Sequence, residues 1–245
     1  MTIQPQYIIE SARKLRSLGN FDASYDLVRE NLGQYPEYQA LVWQHQGVFW
    51  SNIHAGNVAL TRRNSRDASF LENLWSDTDF RQRFHRQAPD LPPRQQLEQL
   101  LDKESLSLLG ESTALHWVIR NTLGLPQGIL SLTEISLQHR RAEVLLGLVA
   151  GAPAGVGASA MLMLFQFFFR VMKFNKLASL VYADNLHAFK STVHLGFQFE
   201  GTLKRHMRDP RSGEYVDMHQ LGLLEPDAFN ETNQKLMRRL LSPKI

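Results

Sequence analysis

Cysteine is absent from the 245-residue chain, which excludes disulfide bridges, thiolate nucleophiles, iron–sulfur clusters and cysteine-based zinc sites. The nine histidines form no His-x3-His or His-Glu-x2-His pair, so their spacing predicts no metal site. The most hydrophobic segment, residues 158–172, is too short to cross a bilayer and is interrupted by Gln166 and Arg170. The first residues carry no charged stretch followed by an apolar run, so we expect a cytoplasmic protein without a membrane span.

A strong excess of charge is also missing. Lys and Arg number 27 against 24 Asp and Glu, giving a net charge of +3, and the basic residues occur only in short groups. Because nucleic-acid binding requires a basic face or stripe, we expect no nucleic-acid partner. The hydrophobic fraction of 43% is typical of globular proteins, and the length is compatible with one or two domains.

A change of pattern near residue 52 divides the chain into a helical module, residues 1–52, and a mixed domain, residues 53–245. In the first part, apolar residues recur at helical spacing. The segment with Gly19, Phe21, Ser24 and Pro36 resembles a single tetratricopeptide unit. Because such repeats normally need three or more units for stability, we expect this one to pack on the rest of the chain. Two roles stay open for it: a docking surface for a peptide or partner, or a helical brace.

The second part alternates strands and helices, which predicts an α/β fold with a mixed, mostly antiparallel sheet and helices on its faces. The strands are predicted at residues 58–62, 116–120, 128–132, 142–149, 177–182, 197–203 and 215–221, and the helices at 67–75, 94–101, 158–174 and 187–195.

A glycine-bearing loop follows the strand that ends at Val149. Gly155 and Gly157 precede a long helix, whose first turn has free N–H groups and the positive end of the helix dipole, so the loop is a potential phosphate cradle. Residues 155–160 also match the dinucleotide fingerprint Gly-x-Gly-x-x-Ala. That fingerprint requires a parallel βαβ unit and an acidic residue about 20 positions later, and neither is indicated here, so nicotinamide binding is the alternative interpretation.

Further landmarks follow the loop in a fixed order: Asp184-Asn185, Gly196-Phe197, Glu200-Gly201, Tyr215-x-Asp217 and Leu221-Gly222-Leu223-Leu224. Over roughly residues 57–227 the chain resembles the GNAT superfamily of acyl-CoA-dependent N-acyltransferases, and most closely the branch that includes the ribosomal-protein N-terminal acetyltransferases. The resemblance implies a GNAT-type central sheet in which the strands before the glycine loop and after the long helix splay apart.

The same resemblance implies how an acyl-CoA donor is held. The pantetheine arm would enter the gap between residues 143–149 and 177–182 and pair with main-chain groups, as an added strand does. The implied donor contacts are the main chain of Leu148 and Val149, the loop at Gly155, the N–H groups of Val156, Gly157 and Ala158, and the side chain of Asn185.

Two positions depart from the family pattern. Ala152 stands where the family usually has Gln or Arg, which removes one polar contact to phosphate and leaves an acyl carrier protein open as an alternative donor. Thr192 stands where a tyrosine often serves as the general acid for the departing thiolate. Because a thiol has a pKa of about 8.5, its thiolate can leave without full protonation.

Amine acylation requires a base, because a lysine-type amine with a pKa of about 10.4 is almost fully protonated near neutral pH. Glu143, at the start of the central strand, is the first candidate for this base, and Glu134 is the second. The structural alternative for Glu143 is an ion pair with Arg140 or Arg141.

The long helix is apolar on nearly every side and includes Phe165, Phe168 and Phe169. Such a helix is typical of one sandwiched between a sheet and a second layer, and we favour that interpretation. The alternative is that these rings line a pocket for a fatty acyl chain, since each buried methylene contributes about 0.8 kcal/mol.

Together these features predict an N-acyltransferase that moves an acyl group from a pantetheine thioester to an amine of a peptide or protein. One version attaches a fatty acyl group to a lysine or ornithine side chain of a ribosomal peptide. The alternatives are a small-molecule amine acetyltransferase and a non-catalytic interaction protein with the same fold. No metal is required by any of the three.

Overall fold

The computed structural model describes residues 4–242. The chain begins with an antiparallel pair of helices, α1 (Pro5–Ser17) and α2 (Phe21–Leu32), joined at Gly19, whose φ of +76° is readily adopted only by glycine. A short helix, α3 (Gln39–Gln44), and a 3₁₀ turn at Gly47–Phe49 complete the N-terminal helices.

An eight-stranded sheet forms the centre of the molecule, with the strand order β1-β2-β3-β4-β5-β6-β8-β7. Every neighbouring pair is antiparallel except β5 and β6, which run parallel. This arrangement confirms the predicted α/β fold with a mostly antiparallel sheet. The strands are β1 (Ile53–Ala55), β2 (Val58–Arg62), β3 (Leu115–Asn121), β4 (Pro126–Ser136), β5 (Arg141–Leu148), β6 (Lys176–Tyr182), β7 (Gln198–Arg208) and β8 (Tyr215–Leu224).

Helices cover both faces of the sheet. On one face, α4 (Ala68–Ser76), α5 (Thr78–Phe84) and α6 (Arg94–Leu106) pack around Ile129. On the other face, α7 (Val156–Phe165) continues into a π-helical turn, Gln166–Val171, and packs on the opposite side of β4. The remaining helices are α8 (Leu186–His194), α9 (Glu225–Ala228) and α10 (Glu231–Leu240).

The long apolar helix is buried between the sheet and the N-terminal helices. Phe167 packs edge-on against Trp117 of β3, with ring centroids 5.6 Å apart, and against Phe49, 6.1 Å away. The helix is apolar on nearly every side because it lies between these two layers, which agrees with the interpretation that we favoured from the sequence. No helix among residues 4–242 is long and apolar enough to span a membrane.

A buried polar network attaches the N-terminal helices to the body. Arg16 donates to the Glu111 carboxylate at 3.1 Å and lies 3.3 Å from Nε2 of His45, whose Nδ1 is 2.9 Å from the Ser24 hydroxyl. Burial, followed by the charge of Arg16, lowers the pKa of His45 to about 4, so this ring is neutral at physiological pH. Since buried polar groups are costly unless paired, the network holds the helices in one position, which is how a brace behaves.

Several elements differ from the sequence predictions at their ends or in their existence. The strand β1 and the helices α5 and α10 were not predicted, and β7 extends five residues further than expected, to Arg208. The helix predicted to reach Phe174 changes to π geometry at Gln166 and ends at Val171. The boundary at residue 52 and the tetratricopeptide-like character of the module stay predictions.

Candidate active site

The central feature of the site is the divergence of β5 and β6. These parallel strands pair only at their beginnings, where Arg141, Ala142 and Glu143 face residues 176–178. Beyond Glu143, β5 stays paired with β4 and β6 stays paired with β8, but the two strands no longer pair with each other. A V-shaped gap therefore opens in the sheet, with Glu143 at its apex.

A cavity of about 1020 Å³ occupies this gap and is lined by residues from both faces of the sheet. Side chains alternate between the two faces of a strand. Leu148 faces α7, where its Cδ1 lies 3.2 Å from the Cβ position of Gly157, whereas Gly147 faces Phe80 and Phe84 of α5. Residues from both faces of the sheet line the cavity, so a ligand lying in it would contact residues on the α7 side and on the α5 side.

The main chain of β5 presents hydrogen-bonding groups to the gap. Val149 N–H donates to Gln127 O at 2.9 Å, which makes this pair a hydrogen-bonded pair of the antiparallel ladder. Because such pairs alternate, the main-chain groups of Leu148 and Leu146 point away from β4 and towards the gap. The Val149 carbonyl accepts from Ala152 N–H at 3.2 Å, so both main-chain groups of Val149 are already used within the chain. Of the two residues predicted to contact a donor through the main chain, only Leu148 has main-chain groups that face the gap. Leu146, rather than Val149, has the second set of main-chain groups that face it.

The N-terminus of α7 opens onto the same cavity. Gly155 adopts φ +89° just before the helix, and Ser159 N–H donates to Gly155 O at 2.8 Å as the first helical hydrogen bond. The N–H groups of Gly157 and Ala158 precede that bond and therefore remain for a ligand, whereas Val156 N–H contacts Pro153 O at 3.3 Å. Gly155, Gly157 and Ala158 line the cavity, so the structure brings this predicted anion cradle to the mouth of the gap.

Asn185 borders the cavity at the end of β6. Its Oδ1 accepts from Ala188 N–H at 3.1 Å and caps α8, which leaves its side-chain nitrogen as the group that can donate to a ligand. Thr192 lies two helical turns further on and also lines the cavity. A hydroxyl is a much weaker acid than the phenol that the family often has at this position.

Glu143 lies at the apex, one residue before Val144, which is the first residue of β5 that lines the cavity. The side chain of Glu143 is on the α5 side of the sheet. Burial, together with the nearby charge of Glu134, raises its pKa to about 7, and Arg141 opposes the shift. No ion pair of Glu143 with Arg140 or Arg141 is present among the salt bridges of residues 4–242. Glu134 is exposed and has φ +49° at an irregularity of the β4–β5 ladder.

The three phenylalanines of the alternative fatty acyl pocket lie in the core and not beside the cavity. Phe165, Phe168 and Phe169 are at most 2% exposed and belong to the hydrophobic core around α7. Within the described part of the chain, none of the three lines the cavity. The physical reason is that these rings pack on other core aromatics: Phe165 lies 6.1 Å from Phe197, Phe168 lies 5.2 Å from Phe174, and Phe169 lies 6.3 Å from Phe229.

Sequence reasoning missed two groups that shape the site. The first is the pair Phe80 and Phe84, which lines the cavity from the short helix α5. The second is Arg86, which donates to both Asp184 oxygens at 2.6 and 2.8 Å and lies 4.1 Å from the Tyr182 ring centre. Arg86 thereby fixes the end of α5 against the end of β6. The i, i+4 spacing of the two phenylalanines was the only available signal, and a seven-residue helix gives little periodicity to detect.

Comparison with known proteins agrees with this geometry. Residues 57–198 match the family model described as an acetyltransferase (GNAT) domain. Among solved structures, spermidine N-acetyltransferase from Vibrio cholerae in complex with CoA and spermine superposes with a TM-score of 0.62 at 20% identity, covering 71% of this chain and 99% of the other. A protein from T. thermophilus, described as an acetyltransferase, gives a TM-score of 0.63 at 20% identity over 78% of this chain and 97% of its own. No curated protein sequence matches significantly. Because the family model covers more than half of the chain, the protein belongs to the GNAT acetyltransferase family.

Proposed function

We propose that the protein transfers an acetyl group from acetyl-CoA to a primary amine of a small molecule. The observation that carries this proposal is the gap between β5 and β6, which runs from the free N–H groups of Gly157 and Ala158 to a carboxylate at its apex. Such a gap would accommodate an extended thioester with a charged end, and the carboxylate at the apex would then lie near the thioester.

The donor would be held mainly by the backbone. The main-chain groups of Leu146 and Leu148 would pair with the pantetheine amides, and the side-chain nitrogen of Asn185 would donate to a pantetheine carbonyl. The N–H groups of Gly157 and Ala158, at the positive end of α7, would bind the pyrophosphate. Ala152 offers no polar side chain to this anion, so the backbone and the helix dipole supply most of the attraction.

The reaction would proceed by direct attack. Glu143 accepts a proton from the acceptor ammonium, and the neutral nitrogen attacks the thioester carbonyl carbon. The carbon–sulfur bond then breaks as the carbon–nitrogen bond is completed, and the attacking nitrogen releases its second proton to solvent, giving an amide and CoA thiolate. A base with a pKa of about 7 is suited to this step because it is largely ionised at physiological pH yet still basic. Thr192 can donate a hydrogen bond to the departing sulfur, and solvent supplies the proton.

A small amine is favoured over a peptide or protein acceptor. The N-terminal helices, for which a docking surface and a brace are the two open roles, are held by buried contacts of Arg16, Ser24 and His45, which supports the brace. A fatty acyl donor and an acyl carrier protein have no supporting pocket or surface among the features described above. The similarity to spermidine N-acetyltransferases supports an amine acceptor without identifying it.

The proposal is tested by incubating the full-length protein with acetyl-CoA and a panel of primary amines. Because the chain has no cysteine, a thiol reagent reports only released CoA, and mass spectrometry identifies the acetylated amine. We expect amine-dependent release of CoA. Absence of turnover with every amine, combined with normal folding, would instead support a non-catalytic interaction protein.

Substitutions then assign the base. We expect Glu143→Gln to abolish most turnover, while Glu214→Gln, an exposed carboxylate on the β7–β8 connection, serves as the matched control. A larger loss in Glu134→Gln than in Glu143→Gln would reassign the base to the second candidate.

A further inference from the structure

Aromatic rings form the wall of the cavity on the α5 side of the sheet. Phe80 and Phe84 line the cavity, and their rings are stacked with centroids 5.1 Å apart. Trp75 packs behind them, 6.1 Å from Phe80 and 6.2 Å from Phe84. Phe80 is 5% exposed and Phe84 is half-buried, so the pair is fixed in place while one ring remains accessible.

Gly147 allows these rings to rest directly on β5. A Cβ atom at this position would lie 2.6 Å from Cε2 of Phe80 and 2.7 Å from Cδ2 of Phe84, closer than real carbon contacts permit. Any side chain at residue 147 would therefore displace the rings. Leu145, Val149 and Leu180 also line the cavity, and their strand positions place them on the same side of the sheet. This side of the gap is consequently an apolar surface of defined shape.

The charges along the cavity do not suit a chain of several ammonium groups. Within the described part of the protein, Asp77 is the single carboxylate of the lining, and its Oδ1 accepts from Asp79 N–H at 2.9 Å and Phe80 N–H at 3.0 Å. The lining also includes the cationic side chains of Arg83 and Lys190. A polyamine would meet two cationic side chains and one carboxylate along the lining, and beyond the lining Glu143 and Glu134 would attract one ammonium at the apex.

We infer that the acceptor is a primary amine attached to an apolar body, either a ring or a branched aliphatic group, and that this body packs against Phe80 and Phe84. The inference rests on the proposed function, since it places the donor on the α7 side of the gap and the acceptor on the α5 side. The reactive nitrogen then points to the apex, where its ammonium proton passes to Glu143 before attack, and its second proton passes to solvent as the amide forms and CoA thiolate departs. Selectivity follows because burial of apolar groups in a fitted pocket favours such amines over hydrophilic ones.

The first test compares 2-phenylethylamine with spermidine as acceptors at saturating acetyl-CoA. We expect kcat/KM for 2-phenylethylamine to be at least about tenfold higher. Equal values, or a preference for spermidine, would overturn the inference while leaving the proposed function intact.

The second test removes the accessible ring. Phe84→Ala should lower the ratio of kcat/KM for 2-phenylethylamine to kcat/KM for ethylamine by about tenfold. Phe199→Ala is the matched control, because this ring is 51% exposed on the edge strand β7 and packs against Phe189 and His219. Repeating the series with hexanoyl-CoA distinguishes an effect on acceptor binding from an effect on donor binding. A change in acyl-chain preference without a change in amine preference would assign the aromatic wall to the donor and contradict the inference.

A third measurement keeps the inference testable if no amine is turned over, an outcome that would refute the proposed function. Calorimetry of 2-phenylethylamine and spermidine with the CoA-saturated protein reports acceptor binding directly. Tighter binding of 2-phenylethylamine that is lost in Phe84→Ala would support the aromatic site by itself. Tighter binding of spermidine, or binding of neither amine, would overturn it.

Discussion

The two sides of the gap are built in different ways. On the α7 side, main-chain groups of β5 and the N–H groups of Gly157 and Ala158 are the polar groups that remain for a ligand. On the α5 side, the surface consists of the side chains of Phe80 and Phe84, with Glu143 at the apex. A site made of backbone can bind the same donor in many family members, whereas a site made of side chains can differ with every substitution.

The largest expected effect lies at the apex, where the two sides meet. Glu143→Gln should lower kcat by about 10²–10⁴-fold, because a positioned base contributes that much to proton transfer. The KM for acetyl-CoA should stay nearly constant, since the donor is held from the α7 side. Initial rates over a matrix of both substrates measure the two parameters separately, and a comparable increase in the KM for acetyl-CoA would contradict this division of labour.

The same substitution should raise the stability of the folded protein at alkaline pH. The folded-state pKa of Glu143 lies above its unfolded value of 4.5, so the folded protein loses stability as pH rises from that value through about 7. Glu143→Gln removes this penalty and should therefore raise the melting temperature at pH 8, with little difference at pH 4.5. Thermal unfolding at the two pH values measures the effect, and a destabilised variant at pH 8 would argue that the carboxylate is paired rather than desolvated.

The N-terminal helices provide a contrast to both sides of the gap. Arg16→Met should destabilise the protein by about 1–3 kcal/mol, because Glu111 and His45 lose a buried partner. If these helices are a brace, acceptor KM at a temperature well below unfolding should not change. Arg13→Met is the matched control, since Arg13 is 65% exposed and contacts Glu111 at 3.4 Å. A raised acceptor KM without loss of stability would instead indicate a docking surface.

A smaller effect is expected from Gly157→Ala on the α7 side. Alanine in a helix is favoured over glycine by about 0.5–1 kcal/mol, but the added Cβ would lie 3.2 Å from Leu148 Cδ1 and occupy the approach to the free N–H groups. We expect a several-fold higher KM for acetyl-CoA in a protein that is no less stable. An unchanged KM would remove Gly157 from the donor site.

The smallest effect should come from Glu134. In the wild type, kcat should rise with pH and level off above about 7, because protonated Glu143 cannot accept a proton. The charge of Glu134 contributes to the raised pKa, so Glu134→Gln should move this limb of the profile to lower pH without removing it. A profile that does not move would indicate that burial alone sets the pKa in the enzyme–substrate complex.

Much of this architecture was predictable from the sequence because it depends on local rules. Strand-length apolar runs, turn residues and glycines predicted the main strands of the sheet and the cradle at Gly155 and Gly157. The short elements β1 and α5 were missed because three or seven residues give too few periods for a pattern. The extension of β7 to Arg208 was missed because its exposed residues lack alternation, and its pairing with β8 is a tertiary contact that alternation does not record.

The sequence by itself determined the succession of the main strands and helices, the glycine-bearing turn from β5 into α7 and the place of Glu143 early in β5, since each follows from neighbouring residues. Only the tertiary structure decided that Val149 is already hydrogen-bonded and that Phe80 and Phe84 face the gap. The physical reason is that burial, ladder register and cavity shape arise from contacts between residues far apart in the chain, which local periodicity does not record.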